Sequence, residues 1–320
     1  MTRPSPDRPS PDRRSLGRPN LSQRLVALGY RAGWAALRLL PAGPAARLFR
    51  LGADLAFRRG GKGVDRLRHN LARVLGPDAD ATRLDEVTRA GLRSYARYWL
   101  EVFRLSVIDP AVIVDRMHVD GEHRLGEAMA VGRGMILALA HSGNWDHAGA
   151  WLVRKHGIRF TTVAERLEPA EVFDRFVAFR ESLGMEVLPL TGGPPPSEVL
   201  AQRLRAGGAL CLLADRDLST SGVGVTFFGE RATMPAGPAH LALTTGAALL
   251  PTVLWFDGDG WAAHVGPPVP HTDVATMTQA MADVFETHIA QHPQDWHMLQ
   301  RLWSADLEPR RTPDSKAGAG

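Results

Sequence analysis

The chain has 320 residues, of which 44% are hydrophobic and 22% charged. That balance excludes a disordered or collagen-like chain despite 32 Gly and 23 Pro, and it allows one domain of about 280 residues with loose ends. A single cysteine, Cys211, can form neither an internal disulfide nor a cysteine zinc site, which points to a reducing, cytoplasmic setting. The formal charge of +4 is unevenly spread, with residues 1–20 carrying +3, residues 21–75 carrying +9 and residues 76–320 carrying −8. A basic front joined to an acidic body directs the front at an anionic surface, either a lipid headgroup layer or a nucleic acid.

Residues 1–20 contain Pro-Ser-Pro-Asp-Arg twice in tandem and read as a disordered tail. From Leu21 to Leu40 the residues Leu25, Leu28, Ala32, Ala35, Ala36 and Leu39 recur at helical spacing. Arg24, Arg31 and Arg38 interrupt this run, so it is neither a signal-peptide core nor a spanning helix. Pro41 and Gly43 break it, and Ala45–Ala56 repeats the pattern before Arg58-Arg59-Gly60-Gly61-Lys62. The two readings are a basic amphipathic helix lying on a membrane and an arginine-rich surface helix. Nucleic acid fits less well, because no aromatic residues alternate with the charges.

Arg66–Leu75 and Ala81–Val107 continue helically, so residues 21–108 read as a helical region that packs on the body and docks on the membrane. After Asp109-Pro110 short apolar runs alternate with helical segments. The runs are Met135–Ala140, Phe160–Ala164, Val187–Leu190, Ala209–Ala214 and Ala248–Phe256. Residues 109–306 therefore form an α/β body, with a central, mostly parallel sheet flanked by helices, and residues 307–320 form a second tail.

Two strand ends carry chemistry. Met135–Ala140 runs into His141-Ser-Gly-Asn-Trp-Asp146, and function in open α/β sheets sits at the carboxyl ends of strands. Asp146 would lie in the first turn of the next helix, where its carboxylate can reach back to the imidazole of His141; Gly143 frees the backbone between them and Asn144 caps the helix. The spacing alone is weak evidence, since about one His-x4-Asp pair is expected by chance in a chain of this composition. The alternative is that His141 ends a strand and Asp146 is an ordinary first-turn acid. Ala209–Ala214 ends in Asp215-Arg216-Asp217, which either contacts substrate or forms a buried ion network around Arg216. Further on, Val225–Glu230 leads to Met234-Pro-Ala-Gly-Pro238 and a new helix, whose free N–H groups could meet a phosphate or a carboxylate.

Taken in order, His141–Asp146, Asp215-Arg-Asp, Phe227-Phe-Gly, Met234-Pro-Ala-Gly, Thr244-Thr-Gly-Ala and His292-Pro-x-x-Trp296 with Arg301 and Trp303 resemble the lysophospholipid acyltransferase superfamily. They are most similar to its lipid A biosynthesis acyltransferase branch. Within that branch, Val163–Leu167, Phe179–Gly193 and Leu213–Leu218 resemble the actinobacterial phosphatidylinositol mannoside acyltransferases, and the likeness spans residues 20 to 305. The superfamily's Glu-Gly-x-Arg acceptor motif is absent.

The resemblance implies transfer of a long acyl chain from acyl-CoA, palmitoyl-CoA foremost, to a mannose hydroxyl of a phosphatidylinositol mannoside. The enzyme would be peripheral, on anionic lipid at the cytoplasmic face of the cell membrane, with no cofactor beyond the donor. His141 would be the general base and Asp146 its orienting carboxylate, without an acyl-enzyme. The oxyanion would be met by backbone N–H groups after His141 or by Arg166 or Arg216. Substrate-binding candidates are Asn144, Glu165, Arg166, Arg180, Asp215, Arg216, Asp217 and Glu230. Arg180 is either a phosphate ligand or a solvated helix arginine. The competing function classes are a lipid A-like acceptor, a lipid-binding protein whose chemistry has lapsed, and metal-dependent hydrolysis involving His147.

Overall fold

The computed structural model describes residues 33–34, 36–165, 170–190, 196–217 and 222–307. Most of the helix expected over Leu21–Leu40, both terminal tails except Leu307, and Arg166 lie outside the described residues.

Three helices come first: α1 (Ala42–Arg59), α2 (Lys62–Leu75) and α3 (Ala81–Arg104), the last capped by Asp80, whose carboxylate accepts the N–H of Arg83. Leu67 and Leu71 of α2 and Val87 and Leu92 of α3 bury against Ala53 of α1. Asp54 of α1 is gripped by both Arg89 and Arg93 of α3. Ala45, Ala53, Asp54 and Phe57 turn inward, while the leucines of α1 face outward: Leu48, Leu51 and Leu55 are 58%, 65% and 64% exposed. The residues expected to seek a core are the ones left in solvent.

The body follows in chain order as α4 (Pro110–Asp115), β1 (Met117–Asp120), α5 (His123–Ala130), β2 (Met135–Leu139), α6 (Trp145–His156), β3 (Phe160–Ala164), α7 (Ala170–Ser182), β4 (Met185–Pro189), α8 (Pro196–Arg205) and β5 (Ala209–Leu213). A two-stranded antiparallel hairpin, β6 (Val223–Phe227) and β7 (Glu230–Met234), precedes α9 (Gly237–Thr245), β8 (Ala248–Asp257), β9 (Gly260–Val265), α10 (Val274–Gln291) and the short α11 (Ser304–Leu307). The seven-stranded sheet has the order β1-β9-β8-β2-β5-β3-β4, and every neighbouring pair is parallel except β8 with β9. This is the mostly parallel α/β sheet that the apolar runs predict.

Both faces of the sheet are covered, as a parallel sheet requires. Ile136 and Ala138 point to the side packed by α8, α9 and α10. Leu137 and Leu139 point to the side packed by α3, α5, α6 and α7. The strands β2 and β5 pair in a constant register, Met135 with Ala209 through Leu139 with Leu213. Carried two residues further, that register sets His141 opposite Asp215.

Candidate active site

The side chains at those two strand ends meet. His141 Nδ1 lies 2.5 Å from Asp215 Oδ1, and Asp215 Oδ2 accepts the main-chain N–H of His141 at 2.9 Å. The indole N–H of Trp296 donates to the same Oδ2, also at 2.9 Å. Asp215 is fully buried while the His141 side chain is 24% exposed. Burial works to raise the Asp215 carboxyl, but the charge and hydrogen bonds of His141 and the Trp296 donor outweigh it and hold the group below the ordinary carboxylate range. An anionic carboxylate on Nδ1 fixes the tautomer with the proton there, leaving Nε2 as the acceptor. Among the described residues Nε2 has no hydrogen-bond partner.

This corrects the pairing read from the sequence. The carboxylate on His141 is Asp215, 74 residues away, and not Asp146. Asp146 sits as expected in the first turn of α6, but its oxygens take the Arg180 guanidinium at 2.7 and 3.0 Å and the Tyr98 hydroxyl at 2.9 Å. Burial disfavours the charged guanidinium of Arg180, yet Asp146 outweighs this and raises its pKa. Arg180 is thus not a solvated helix arginine; with Asp146 it ties α7 to α6 and, through Tyr98, to α3.

The loop between His141 and α6 is equally committed. Asn144 caps α6 by accepting the His147 N–H at 2.9 Å, and its amide donates to Glu101 at 2.7 Å, so it is unavailable to substrate. Gly143 adopts φ +56°, and a Cβ there would come within 2.8 Å of the β8 backbone at Trp255. The N–H of Ser142 bonds Ala140 O at 2.7 Å and that of Gly143 bonds Asp295 O at 2.9 Å. These two N–H groups are taken within the fold, which leaves those at the start of α6 among the backbone donors expected for the oxyanion. The Ser142 hydroxyl accepts the Leu254 N–H at 3.1 Å, and the buried Cys211 thiol has its pKa pushed up by burial. His147 is buried and stacked on Trp261 at 3.6 Å.

The other candidates disperse. Arg216 follows Asp215, half-buried, with no hydrogen-bond or ion-pair partner among the described residues. No ion network forms around it, since Asp215 is taken by His141 and Trp296. Asp217 is half-buried against Gly222, Glu230 pairs with Arg73 of α2 at 2.9 Å, and Glu165 is exposed at the end of β3. Trp296 was noticed only as part of a motif. Its indole donor to Asp215 depends on two distant segments meeting, and no local pattern encodes it.

Beside the dyad, between α6 and the sheet, lies an apolar cavity of about 40 Å³ lined by Leu137, Leu139, Trp145, Trp151, Cys211 and Leu254, among others. Trp145 joins the two features, lining the cavity and standing edge-on to the His141 ring at 5.9 Å. A polar dyad with an apolar recess reached past Trp145 suits a substrate with a reacting head and an apolar tail.

Comparison with known proteins places this geometry. The family model for bacterial lipid A biosynthesis acyltransferases matches residues 20–305. A phosphatidylinositol mannoside acyltransferase of Mycolicibacterium smegmatis (strain ATCC 700084 / mc(2)155) is 52% identical over 299 residues, covering 92% of this chain and 97% of that one. The protein of the same name from Mycobacterium tuberculosis (strain ATCC 25618 / H37Rv) is 51% identical over 300 residues, covering 92% and 93%. With a buried carboxylate holding a histidine at the carboxyl edge of its sheet, the chain belongs to the bacterial lipid A biosynthesis acyltransferase family and is an acyltransferase.

Proposed function

We propose that this enzyme moves a long fatty acyl group from acyl-CoA to a mannose hydroxyl of a phosphatidylinositol mannoside, with His141 as general base and Asp215 as the carboxylate that orients it. The observation that carries the reading is the exposed Nε2 of an imidazole whose Nδ1 is held by a buried anion. Nε2 takes the hydroxyl proton as the sugar oxygen attacks the thioester carbonyl. The tetrahedral intermediate then collapses, the carbon–sulfur bond breaks, and the CoA sulfur leaves with the proton returned by His141. The bonded hydroxyl of Ser142 and the buried thiol of Cys211 argue for direct transfer without an acyl-enzyme. The candidates for the oxyanion are Arg166, Arg216 and the backbone N–H groups at the start of α6. The apolar recess behind Trp145 is where the acyl chain would part α6 from the sheet; at about 40 Å³ it holds little more than a water-sized group until side chains shift. Asp146 and Arg180 hold the helices that frame this site.

The enzyme would work as a peripheral protein on the cytoplasmic face of the cell membrane. Support comes from α1, where Leu48, Leu51 and Leu55 stand exposed on a helix that also carries Arg47, Arg50, Arg58 and Arg59. Among the described residues no helix is long and apolar enough to cross a membrane.

The test is to incubate the purified protein with radiolabelled palmitoyl-CoA and a panel of glycolipids that includes phosphatidylinositol mannosides and a lipid A-like acceptor. Label should enter the phosphatidylinositol mannoside, and His141→Ala should still bind vesicles without transferring the chain. Equal turnover by the variant would end the general-base reading, and labelling confined to the lipid A-like acceptor would overturn the acceptor.

A further inference from the structure

The segment after α10, His292 to Met298, has little regular structure beyond one 3₁₀ turn, Pro293–Asp295, yet Pro293, Asp295, Trp296, His297 and Met298 are all buried. A buried irregular segment must still satisfy its backbone polar groups. This one does so on the loop that carries His141. The Gly143 N–H donates to Asp295 O at 2.9 Å, the His297 N–H donates to His141 O at 2.7 Å, and Ser142 and Trp296 bridge as antiparallel partners.

The side chain of Trp296 reaches past that loop to Asp215. An aspartate carboxylate has little intrinsic preference about its last torsion, which is broad and two-fold. Its orientation must therefore be imposed by donors. Asp215 Oδ2 has two, the His141 main-chain N–H and the Trp296 indole, each at 2.9 Å, and with Oδ2 so held Oδ1 faces Nδ1. The indole cannot swing away, because it is wholly buried and set edge-on to Phe227 at 5.9 Å and to Trp303 at 6.0 Å.

We propose that Trp296 is a positioning residue for the His141–Asp215 pair: its indole N–H fixes the rotation of the Asp215 carboxylate and thereby the direction in which His141 presents Nε2. The inference rests on the reading of His141 as the base. Trp296 acts through Asp215; its ring neighbours among the described residues are Phe227, Phe228 and Trp303 and not His141.

Trp296→Phe keeps most of the ring and removes the donor. In the protein without substrate, the downfield proton resonance of His141 Nδ1–H, identified by its loss in His141→Asn, should shift or broaden in Trp296→Phe. In turnover with palmitoyl-CoA, kcat should fall by about tenfold to a hundredfold, the worth of a hydrogen bond to a charged group, with KM for both substrates little changed. In an Asp215→Asn background the same substitution should cost nothing more, since the donor then has no anion to hold. A resonance left where it was, or losses that multiply in the double variant, would overturn the proposal. Should Trp296→Phe not fold, the near-isosteric replacement of Trp296 by 3-benzothienylalanine removes only the N–H and is judged by the same outcomes. The resonance is read without turnover, so a failure of Trp296 to position Asp215 is told apart from a failure of His141 as base, which His141→Ala reports.

Discussion

Asp215 holds both the ring and the backbone of His141, one oxygen on Nδ1 at 2.5 Å and the other on the main-chain N–H at 2.9 Å. Replacing it by Asn keeps the size but removes the charge that fixes the tautomer. Asp215→Asn should lower kcat by about 10³, within the range of a positioned acid–base group, while Asp146→Asn, which leaves that pair intact, should lower it by less than about tenfold. Steady-state rates with a common acyl donor decide between the two aspartates.

Asp146 earns a different expectation. Its carboxylate is buried against the Arg180 guanidinium, so Asp146→Asn strands a cation that burial already disfavours. Unfolding in urea should show a loss of about 3 kcal/mol, and Asp146→Asn with Arg180→Met should recover much of it, because no orphan charge is left. Equal midpoints for wild type and Asp146→Asn would refute the structural role.

Two buried histidines should make the fold sensitive to acid, alongside His288 and His292, which burial also pushes down. Burial pushes His147 down to about 3, and burial with the nearby His141 brings His297 to about 3 as well, from the ordinary 6.5 of an imidazole. Both are neutral when folded, whereas the unfolded chain takes up their protons as pH falls through 6.5. Their contribution is complete above that pH and drains away below it, at about 3 kcal/mol per pH unit for the two together. The urea midpoint should drop steeply from pH 6 to pH 4, and His147→Phe should lessen the slope of stability by about 1.4 kcal/mol per pH unit. A flat midpoint across the window would contradict it.

Gly143 is a third point of rigidity. With φ +56° and the β8 backbone at Trp255 2.8 Å from any Cβ, Gly143→Ala must displace the loop that carries His141. We expect kcat to fall by more than about tenfold with the circular dichroism unchanged. Gly132 has φ +74° but open space around it, so Gly132→Ala should cost only about 1 kcal/mol and leave kcat alone.

The outward leucines of α1 lead to a binding prediction. Changing Leu48, Leu51 and Leu55 to Gln should weaken binding to anionic vesicles while leaving the melting temperature nearly unchanged, since these side chains bury little apolar surface in the fold. Binding by the wild type should also fall as salt rises. A sedimentation assay indifferent to both would remove α1 from the membrane.

The sheet was legible where strands are buried on both faces and read as apolar runs, as β2, β5 and most of β8 do. The edge strand β1, Met-His-Val-Asp, buries only Met117 fully, and β9 carries Gly260 and His264, so neither stands out from loop composition. Both ends of the dyad were located on the right edge of the sheet, because His141 and Asp215 each follow an apolar run. Hydropathy carries no strand order, however, and only the adjacency of β2 and β5 shows which carboxylate the imidazole meets. A nearby acid five residues away was the better guess from spacing, and Arg180, 34 residues on, is what claims it.

The constant 74-residue offset between β2 and β5 has a kinetic meaning. A histidine paired with a neighbour five positions along could meet it transiently in a loose chain, whereas closing a loop of this span costs about 2 kcal/mol more in chain entropy. The pair therefore exists only while the crossover through β3, α7, β4 and α8 is in place. Separating β5 from β2 would part His141 from Asp215, so a chain with that pairing undone would not hold the two side chains together.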